Sequence, residues 1–212
     1  MLRSVLRAIG APAACMLGFP VTWPVRPREV TASDEEFEAV YWKASLAVRL
    51  AMLLAREAGI RSGTIRRFNA GNCNFETQTI TGRTKGYTSY TVPMTQRLRS
   101  QLLIACAGAK DQSEPLLVQY AYHRKTYAPS ALSHGLAKAK KLAGLEKTPW
   151  TYHDLRRTGA RKVYDATHDI RKVQAFLGHS APMNSFWYLG NAALDLTAEE
   201  VETISTAERK RA

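Results

Sequence analysis

Capping residues and glycines divide this sequence into segments of helical length, and these helix start and stop signals constrain the fold more than any other feature. Ser33 and Glu36 have the spacing of an N-terminal capping box. Behind them, apolar residues recur every three or four positions. We expect two helices here, the second ending near Gly59. The apolar positions are Phe37, Val40, Tyr41, Ala44, Ala47, Val48, Ala51 and Leu54.

One segment departs from the helical pattern. Residues 76–81 and 87–92 flank a turn-forming stretch, Gly82–Gly86, and predict a β-hairpin with Arg83 and Lys85 at its tip. A further helix should begin at Thr95 and run to about Ala107. The predicted fold is therefore mainly α (α+β), helical with one small antiparallel sheet.

The second half of the chain continues the helical pattern. A helix that carries several lysines should end near Gly144, and Thr151 with Asp154 forms a second capping box. Thr167 is predicted to cap the next helix, which should end at Gly178. Ser180 and Pro182 then predict another helix start.

Three regions follow from these signals. Residues 1–30 contain four prolines and predict an irregular leader. Residues 31–190 have the length and apolar content of one domain with a substantial core. Residues 191–212 predict an amphipathic tail helix with a charged end.

The charge distribution indicates a polyanionic partner. The formal net charge is +12, and residues 58–162 hold eighteen Lys and Arg against five Asp and Glu. Such a concentration is typical of nucleic-acid binding, although a solvated basic surface gives the same count. No run reaches the roughly 20 apolar residues of a transmembrane helix. Three scattered cysteines, Cys15, Cys73 and Cys106, form no disulfide framework or zinc motif, so we expect a cytoplasmic protein without a metal.

Candidate chemistry is concentrated between residues 151 and 190. His153 and Arg156 are three positions apart on one predicted helix and share a face. His179 follows the Gly178 helix stop, and Tyr188 lies nine residues later. Two imidazoles, a guanidinium and a phenol suit the binding of a phosphodiester and its attack by tyrosine. Taken singly, each could equally be a surface arginine, a helix-terminal histidine or a core tyrosine.

The order of these residues resembles the tyrosine recombinases, the phage integrase family. The resemblance is carried by the run His153–Thr158, the Leu177-Gly178-His179 triplet and Tyr188 nine positions later. Upstream, Gly59-Ile60-Arg61 is similar to the segment bearing the family's first catalytic arginine, and Thr84-Lys85-Gly86 to the hairpin bearing its lysine. The match covers roughly residues 28–195.

The resemblance implies a site-specific recombinase that breaks and rejoins DNA without metal, ATP or another cofactor. Tyr188 is then the nucleophile that forms a 3′-phosphotyrosyl bond, and Arg61 and Arg156 hold the phosphate. His153 and His179 bind the same phosphate, and Lys85 protonates the leaving 5′-oxygen. Double-stranded DNA becomes the expected partner, with self-association on it through the tail, and neither a membrane nor a small molecule is expected.

The sequence departs from the family pattern at several positions. Thr64 stands where the family usually has a carboxylate, and Ala70 and Asn72 replace its usual tryptophan and aspartate. The residues before Thr31 are too few for the family's N-terminal DNA-clamp domain, so we expect the catalytic domain alone. Two alternatives therefore stay open: a DNA-binding relic or regulator that does not cleave, and a type IB topoisomerase-like activity.

Overall fold

The computed structural model describes residues 30–83, 89–121 and 128–179. Helices α1 (Asp34–Lys43), α2 (Leu46–Ala58) and α3 (Ser62–Ile65) come first, and a 3-10 turn at Ala70–Asn72 leads into the sheet. The strands are β1 (Cys73–Asn74), β2 (Thr79–Arg83) and β3 (Ser89–Pro93). Helix α4 (Gln96–Ala107), a 3-10 turn at Val118–Tyr120 and helices α5 (Pro129–Leu142), α6 (Tyr152–Thr167) and α7 (Ile170–Leu177) follow. The mainly helical fold with a small antiparallel sheet is confirmed.

Helix α2 is the centre of the core. Ten of its thirteen residues are buried, so it is covered on all sides rather than on one face. It packs most extensively against α6, where Gly159 brings the two backbones together. A Cβ atom at Gly159 would lie 1.9 Å from the carbonyl oxygen of Arg56 in α2. Only glycine is compatible with this crossing.

The predicted caps are confirmed at three helices and wrong at one. Ser33 and Glu36 form the capping box of α1, and Thr95 caps α4. At α6 the Asp154 carboxylate accepts hydrogen bonds from the Thr151 backbone N–H at 2.9 Å and its hydroxyl at 2.8 Å. Thr167, however, does not cap α7. It ends α6, and its hydroxyl donates to the Val163 carbonyl oxygen instead.

Asp169 takes the capping position that was predicted for Thr167. Its side chain accepts a hydrogen bond from the Arg171 backbone N–H at 2.8 Å, and α7 begins at Ile170. Gly178 ends α7 in the left-handed conformation with φ of 60°, as the sequence predicts.

The sheet has the antiparallel order β1–β2–β3. The first strand of the predicted hairpin begins at Thr79 rather than at residue 76, because the Asn74 side chain accepts hydrogen bonds from the backbone N–H groups of Glu76 and Thr77 and forms a turn. Arg83 pairs with Ser89, so residues 84–88 connect the two strands.

Several predictions lie outside the described residues. These are the leader before Val30, Lys85 at the hairpin tip, the helix start at Ser180 and Pro182, Tyr188, and the tail 191–212. Within the described part of the chain, no helix is long and apolar enough to cross a membrane.

Candidate active site

Helix α6 presents His153 and Arg156 from its first two turns. The capping box at Thr151 and Asp154 fixes where the helix begins, and therefore which way these side chains project. His153 is solvent accessible in the wall of a cavity, whereas Arg156 is only 1% exposed. Arg156 is thus not the surface arginine that its sequence position alone would allow.

The Arg156 guanidinium is held by the carboxyl-terminal ends of two helices. Its Nη1 donates to the carbonyl oxygen of Gly59, directly after α2, and its Nη2 donates to that of Leu177, the last residue of α7, at 2.7 Å. The carboxyl-terminal end of a helix carries partial negative charge, so both contacts favour a cation. The Arg156 fork is therefore oriented by main-chain atoms.

Two glycines make this arrangement possible. Gly59 and Gly178 both adopt the left-handed conformation, which ends α2 and α7 where Arg156 can reach their carbonyl groups. A Cβ atom at Gly59 would lie 2.7 Å from the Phe176 carbonyl oxygen, and one at Gly178 would lie 2.3 Å from the Tyr90 ring. Tyr90 in β3 also donates from its hydroxyl to the Gly59 carbonyl oxygen at 3.4 Å. The base of the hairpin is therefore anchored to the acceptor that Arg156 uses.

A cavity of about 1080 Å³ opens beside these groups. Its described wall contains three arginines and a histidine but no Asp or Glu. The wall consists of Arg61, Ser62, Gly63, Thr64, Arg67, Asn69, Gly71, Asn72, Gln112, Ser113, Tyr152, His153 and Arg156. Buried cations normally have an anionic or strongly polar partner, so this excess of positive charge suits an anionic ligand.

Arg61 provides the most direct sign of a missing partner. Its Nη1 atom is buried and makes no hydrogen bond within the described part of the chain. Thr64, which carries no charge, lies in the same wall. A buried donor without an acceptor is costly, and such exceptions call for an explanation. An anion bound in the cavity would supply that acceptor.

Both imidazoles lie within the field of the arginines. Burial lowers the pKa of His179 to about 4, and the charges of Arg156 and Arg61 act in the same direction. Partial burial also lowers the pKa of His153. The Asp154 charge opposes this effect, and the charges of Arg157, Arg156 and Arg61 reinforce it. At neutral pH both histidines are therefore uncharged. An arriving anion would raise both pKa values.

The tautomer of His179 follows from its neighbour. Its Nε2 atom lies 3.3 Å from Arg156 Nη2. A guanidinium can only donate, so Nε2 accepts and the ring proton of neutral His179 resides on Nδ1.

The structure thus brings together four of the six predicted site residues: Arg61, His153, Arg156 and His179. The sequence did not identify the rest of the wall, in particular Arg67, Asn69 and the distant Gln112 and Ser113. Among the described residues, no group of three or more His, Cys, Asp or Glu side chains could hold a metal ion.

Comparison with known proteins gives consistent matches. The model of the phage integrase family matches residues 32–193. The tyrosine recombinase XerA of Pyrococcus horikoshii is 29% identical over 156 residues, which cover 73% of this chain and 53% of that protein. XerA of Thermococcus onnurineus is 31% identical over 134 residues, which cover 62% of this chain and 46% of that protein. The chain spans about half the length of these curated relatives.

Solved structures share the fold at low identity. A crystal structure of XerA recombinase superposes with a TM-score of 0.64 at 20% identity, covering 98% of this chain and 72% of that one. A λ integrase dimer bound to a COC′ core site gives a TM-score of 0.64 at 20% identity, covering 92% of this chain and 57% of that one.

Proposed function

This chain belongs to the phage integrase family, and from that premise we propose that it is the catalytic part of a site-specific DNA recombinase. The observation that carries the proposal is the cavity that Arg61 and Arg156 share without any Asp or Glu in its described wall. Its ligand is the scissile phosphodiester of double-stranded DNA in the cytoplasm.

The two arginines bind the non-bridging phosphate oxygens. Arg61 supplies the buried Nη1 atom that has no acceptor in the described structure. Arg156 is already oriented by the Gly59 and Leu177 carbonyl groups, so it needs little rearrangement when DNA binds. Preorganised donors of this kind stabilise the charge that builds on the phosphorane-like transition state.

The histidines act as neutral groups at the same phosphate. His153 lies in the cavity wall and can accept the proton of the attacking phenol, because its lowered pKa leaves it unprotonated at neutral pH. His179 contributes through its contact with Arg156 and through its own ring proton.

Tyr188 is the nucleophile in this proposal. Its phenolate oxygen attacks phosphorus, forms a 3′-phosphotyrosyl bond and displaces the 5′-oxygen. It stands nine positions after His179 in the sequence, and nine residues of chain can span at most about 30 Å. The phosphotyrosine conserves the energy of the broken bond, and rejoining therefore needs neither ATP nor a metal.

Lys85 is the proposed acid for the leaving 5′-oxygen. The Arg83–Ser89 pair closes the strands on either side of it, and Tyr90 anchors β3 to the Gly59 carbonyl oxygen. The hairpin is thus fixed at its base beside Arg156. Lys85 belongs to the connection 84–88 between these two strands, and the anchored base of the hairpin supports its assignment.

Covalent trapping tests the proposal. A library of nicked duplexes with random cores should yield protein–DNA adducts that survive denaturant and are unaffected by a chelator. Tyr188→Phe should abolish the adduct and leave DNA binding intact, whereas Tyr164→Phe, a matched control remote from the cavity wall, should retain it. DNA binding should weaken steeply with salt, because phosphate neutralisation supplies most of the affinity.

The outcomes separate the alternatives. DNA binding without any adduct would identify a non-cleaving relic or regulator. Relaxation of supercoiled DNA without strand exchange would identify a topoisomerase-like activity. An adduct that persists in Tyr188→Phe, or that requires a divalent metal, would contradict the mechanism.

A further inference from the structure

A second cavity, of about 310 Å³, adjoins the active-site cavity. The two cavities share four wall residues, which are Ser62, Gly63, Tyr152 and His153. The rest of the described wall of the second cavity consists of Arg66, Leu132, Ser133 and Thr151. None of these four side chains takes part in the proposed reaction.

The short helix α3 lies at the boundary between the two cavities. Arg61 directly precedes this helix and lies in the wall of the active-site cavity, whereas Arg66 directly follows it and lies in the wall of the second. Ile65 is fully buried and anchors the turn in the core. The Arg61 carbonyl oxygen accepts hydrogen bonds from the backbone N–H groups of Thr64 and Ile65 at 2.8 and 2.9 Å. One helical turn therefore assigns two arginines to neighbouring cavities.

Arg66 has the one charged side chain in the described wall of the second cavity. It is half-buried, and its guanidinium makes no hydrogen bond or ion pair with any residue that the structure describes. By contrast, Arg49, Arg56 and Arg97, which line neither cavity, each donate to a carbonyl or carboxylate oxygen. Partial burial of a charge without a partner is unfavourable, so the position of Arg66 suits an anionic ligand.

Two hydroxyl groups accompany Arg66 in this wall. Ser62 at the start of α3 and Ser133 in α5 are both exposed there. A serine hydroxyl can donate to an anionic oxygen, and a guanidinium presents a planar fork that matches phosphate. The Thr151 hydroxyl already donates to Asp154, so we assign it no part in binding. The described wall contains no Asp or Glu that would repel an anion.

The position of the second cavity indicates which anion it binds. A DNA strand carries one phosphate for roughly every 3.4 Å of helix axis, so a scissile phosphate always has another phosphate close on either side. His153 lies in the walls of both cavities. A strand whose scissile phosphate occupies the active-site cavity can therefore place a neighbouring phosphate in the second.

We propose that Arg66, together with Ser62 and Ser133, binds the phosphate next to the scissile one on the same DNA strand and holds that strand in the active site. The identity of the ligand rests on the proposed function, whereas the anion site rests on the cavity itself. Phosphate contacts position a protein on DNA without reading its sequence directly. Arg66 is thus a positioning residue, which touches neither the scissile phosphate nor the attacking oxygen.

Neutralising single phosphates tests the assignment. Duplexes recovered by covalent trapping are remade with one methylphosphonate, in which a methyl group replaces a charged oxygen, at either phosphate that flanks the scissile one. At one of these two positions the substitution should weaken binding to the wild-type chain roughly tenfold. Arg66→Met should weaken binding to the unmodified duplex by a similar factor, and the same methylphosphonate should then cost little more.

Arg161→Met is the matched control. Arg161 is exposed, pairs with Asp165 and lies in neither cavity wall, so its replacement should leave the full sensitivity to methylphosphonate. Arg66→Met should also reduce the slope of log affinity against log salt by about one. Its adduct formation at saturating DNA should slow by less than about threefold, because Arg66 does not touch the reacting atoms. If Arg66→Met and the wild type lose equal affinity at both flanking positions, the two effects are independent and the assignment is wrong.

Inorganic phosphate tests the anion site without DNA. Phosphate added to the isotope-labelled full chain at constant ionic strength should shift the backbone amide resonance of Ser133, and Arg66→Met should remove this response. Ser130, an exposed serine of α5 outside the cavity wall, is the internal control and should not respond. A Ser133 shift that is absent, or that persists in Arg66→Met, would overturn the site. If the shift depends on Arg66 but the chain never forms a DNA adduct, the proposed function fails and the anion site remains.

Discussion

Replacing Arg61 with methionine should raise the stability of the fold and remove the proposed activity. The Arg61 Nη1 atom is buried without an acceptor in the described structure, and leaving such a donor unsatisfied costs about 1–3 kcal/mol. The Arg61 side chain as a whole is only half-buried, so the lower end of that range applies. Methionine preserves much of the apolar stem. We therefore expect the free energy of unfolding to increase by about 1 kcal/mol.

Urea denaturation in a sulfate- and phosphate-free buffer measures this change. With a typical denaturant dependence of about 2 kcal/mol per molar, the midpoint should rise by about 0.5 M. Added sulfate should stabilise the wild type by binding the folded state, and it should have a smaller effect on Arg61→Met.

Arg67→Met is the matched control for Arg61→Met. Arg67 lies in the same cavity wall but is exposed, so its replacement should change the unfolding free energy by less than about 0.5 kcal/mol. If Arg61→Met lowers stability by 1 kcal/mol or more, Arg61 already has a partner, and the reasoning from a missing anion is wrong.

Three further predictions concern packing, pH and the loop before α6. Gly159→Ala should destabilise the fold by about 2–4 kcal/mol because its Cβ meets the backbone of α2 at 1.9 Å, whereas Gly63→Ala, with open space around it, should be near neutral by thermal melting. Lowering the pH from about 6.5 to about 4 should reduce the free energy of unfolding by up to about 3 kcal/mol, because His179 takes up a proton in the unfolded chain but not in the folded one. In urea titrations, His179→Gln should make the free energy of unfolding depend less on pH over this range. An unchanged pH dependence in that variant would contradict the prediction. Lys140→Met should lower the free energy of unfolding by about 2–4 kcal/mol, because the buried Lys140 ammonium donates to the Thr148 and Trp150 carbonyl oxygens. Lys141→Met, at an exposed position, should leave it unchanged. Equal shifts of the urea midpoint in the two variants would refute this prediction.

Local signals predicted most of the helices because their caps are short-range interactions. Ser33 and Thr151 are each paired with an acidic residue three positions later, and both pairs form the expected bonds. Thr167 failed as a cap because two better interactions compete with it: its hydroxyl is satisfied within α6 by Val163, and Asp169 reaches the next free backbone N–H. Strand β1 is only two residues long and has no periodicity to detect.

The candidate site was predictable only where residue types carry the chemistry. Arg61, His153, Arg156 and His179 could be identified from type and order, and they do converge. The surroundings could not, because they come from distant segments. The Gly59 and Leu177 carbonyl groups hold Arg156 although any residue type has a carbonyl group, and Gln112 reaches the cavity through packing alone.

The main-chain cradle of Arg156 has a consequence for how this protein tolerates mutation. A carboxylate that orients a guanidinium can be deleted by one codon change, but the carbonyl oxygens of Gly59 and Leu177 at the ends of α2 and α7 cannot. Gly59 and Gly178 set the direction of those oxygens through their left-handed backbone conformation. The contact with Arg156 therefore depends on two residues that have no side chain. Variation at Gly59 and Gly178 should therefore be purged as strictly as variation in the arginine itself.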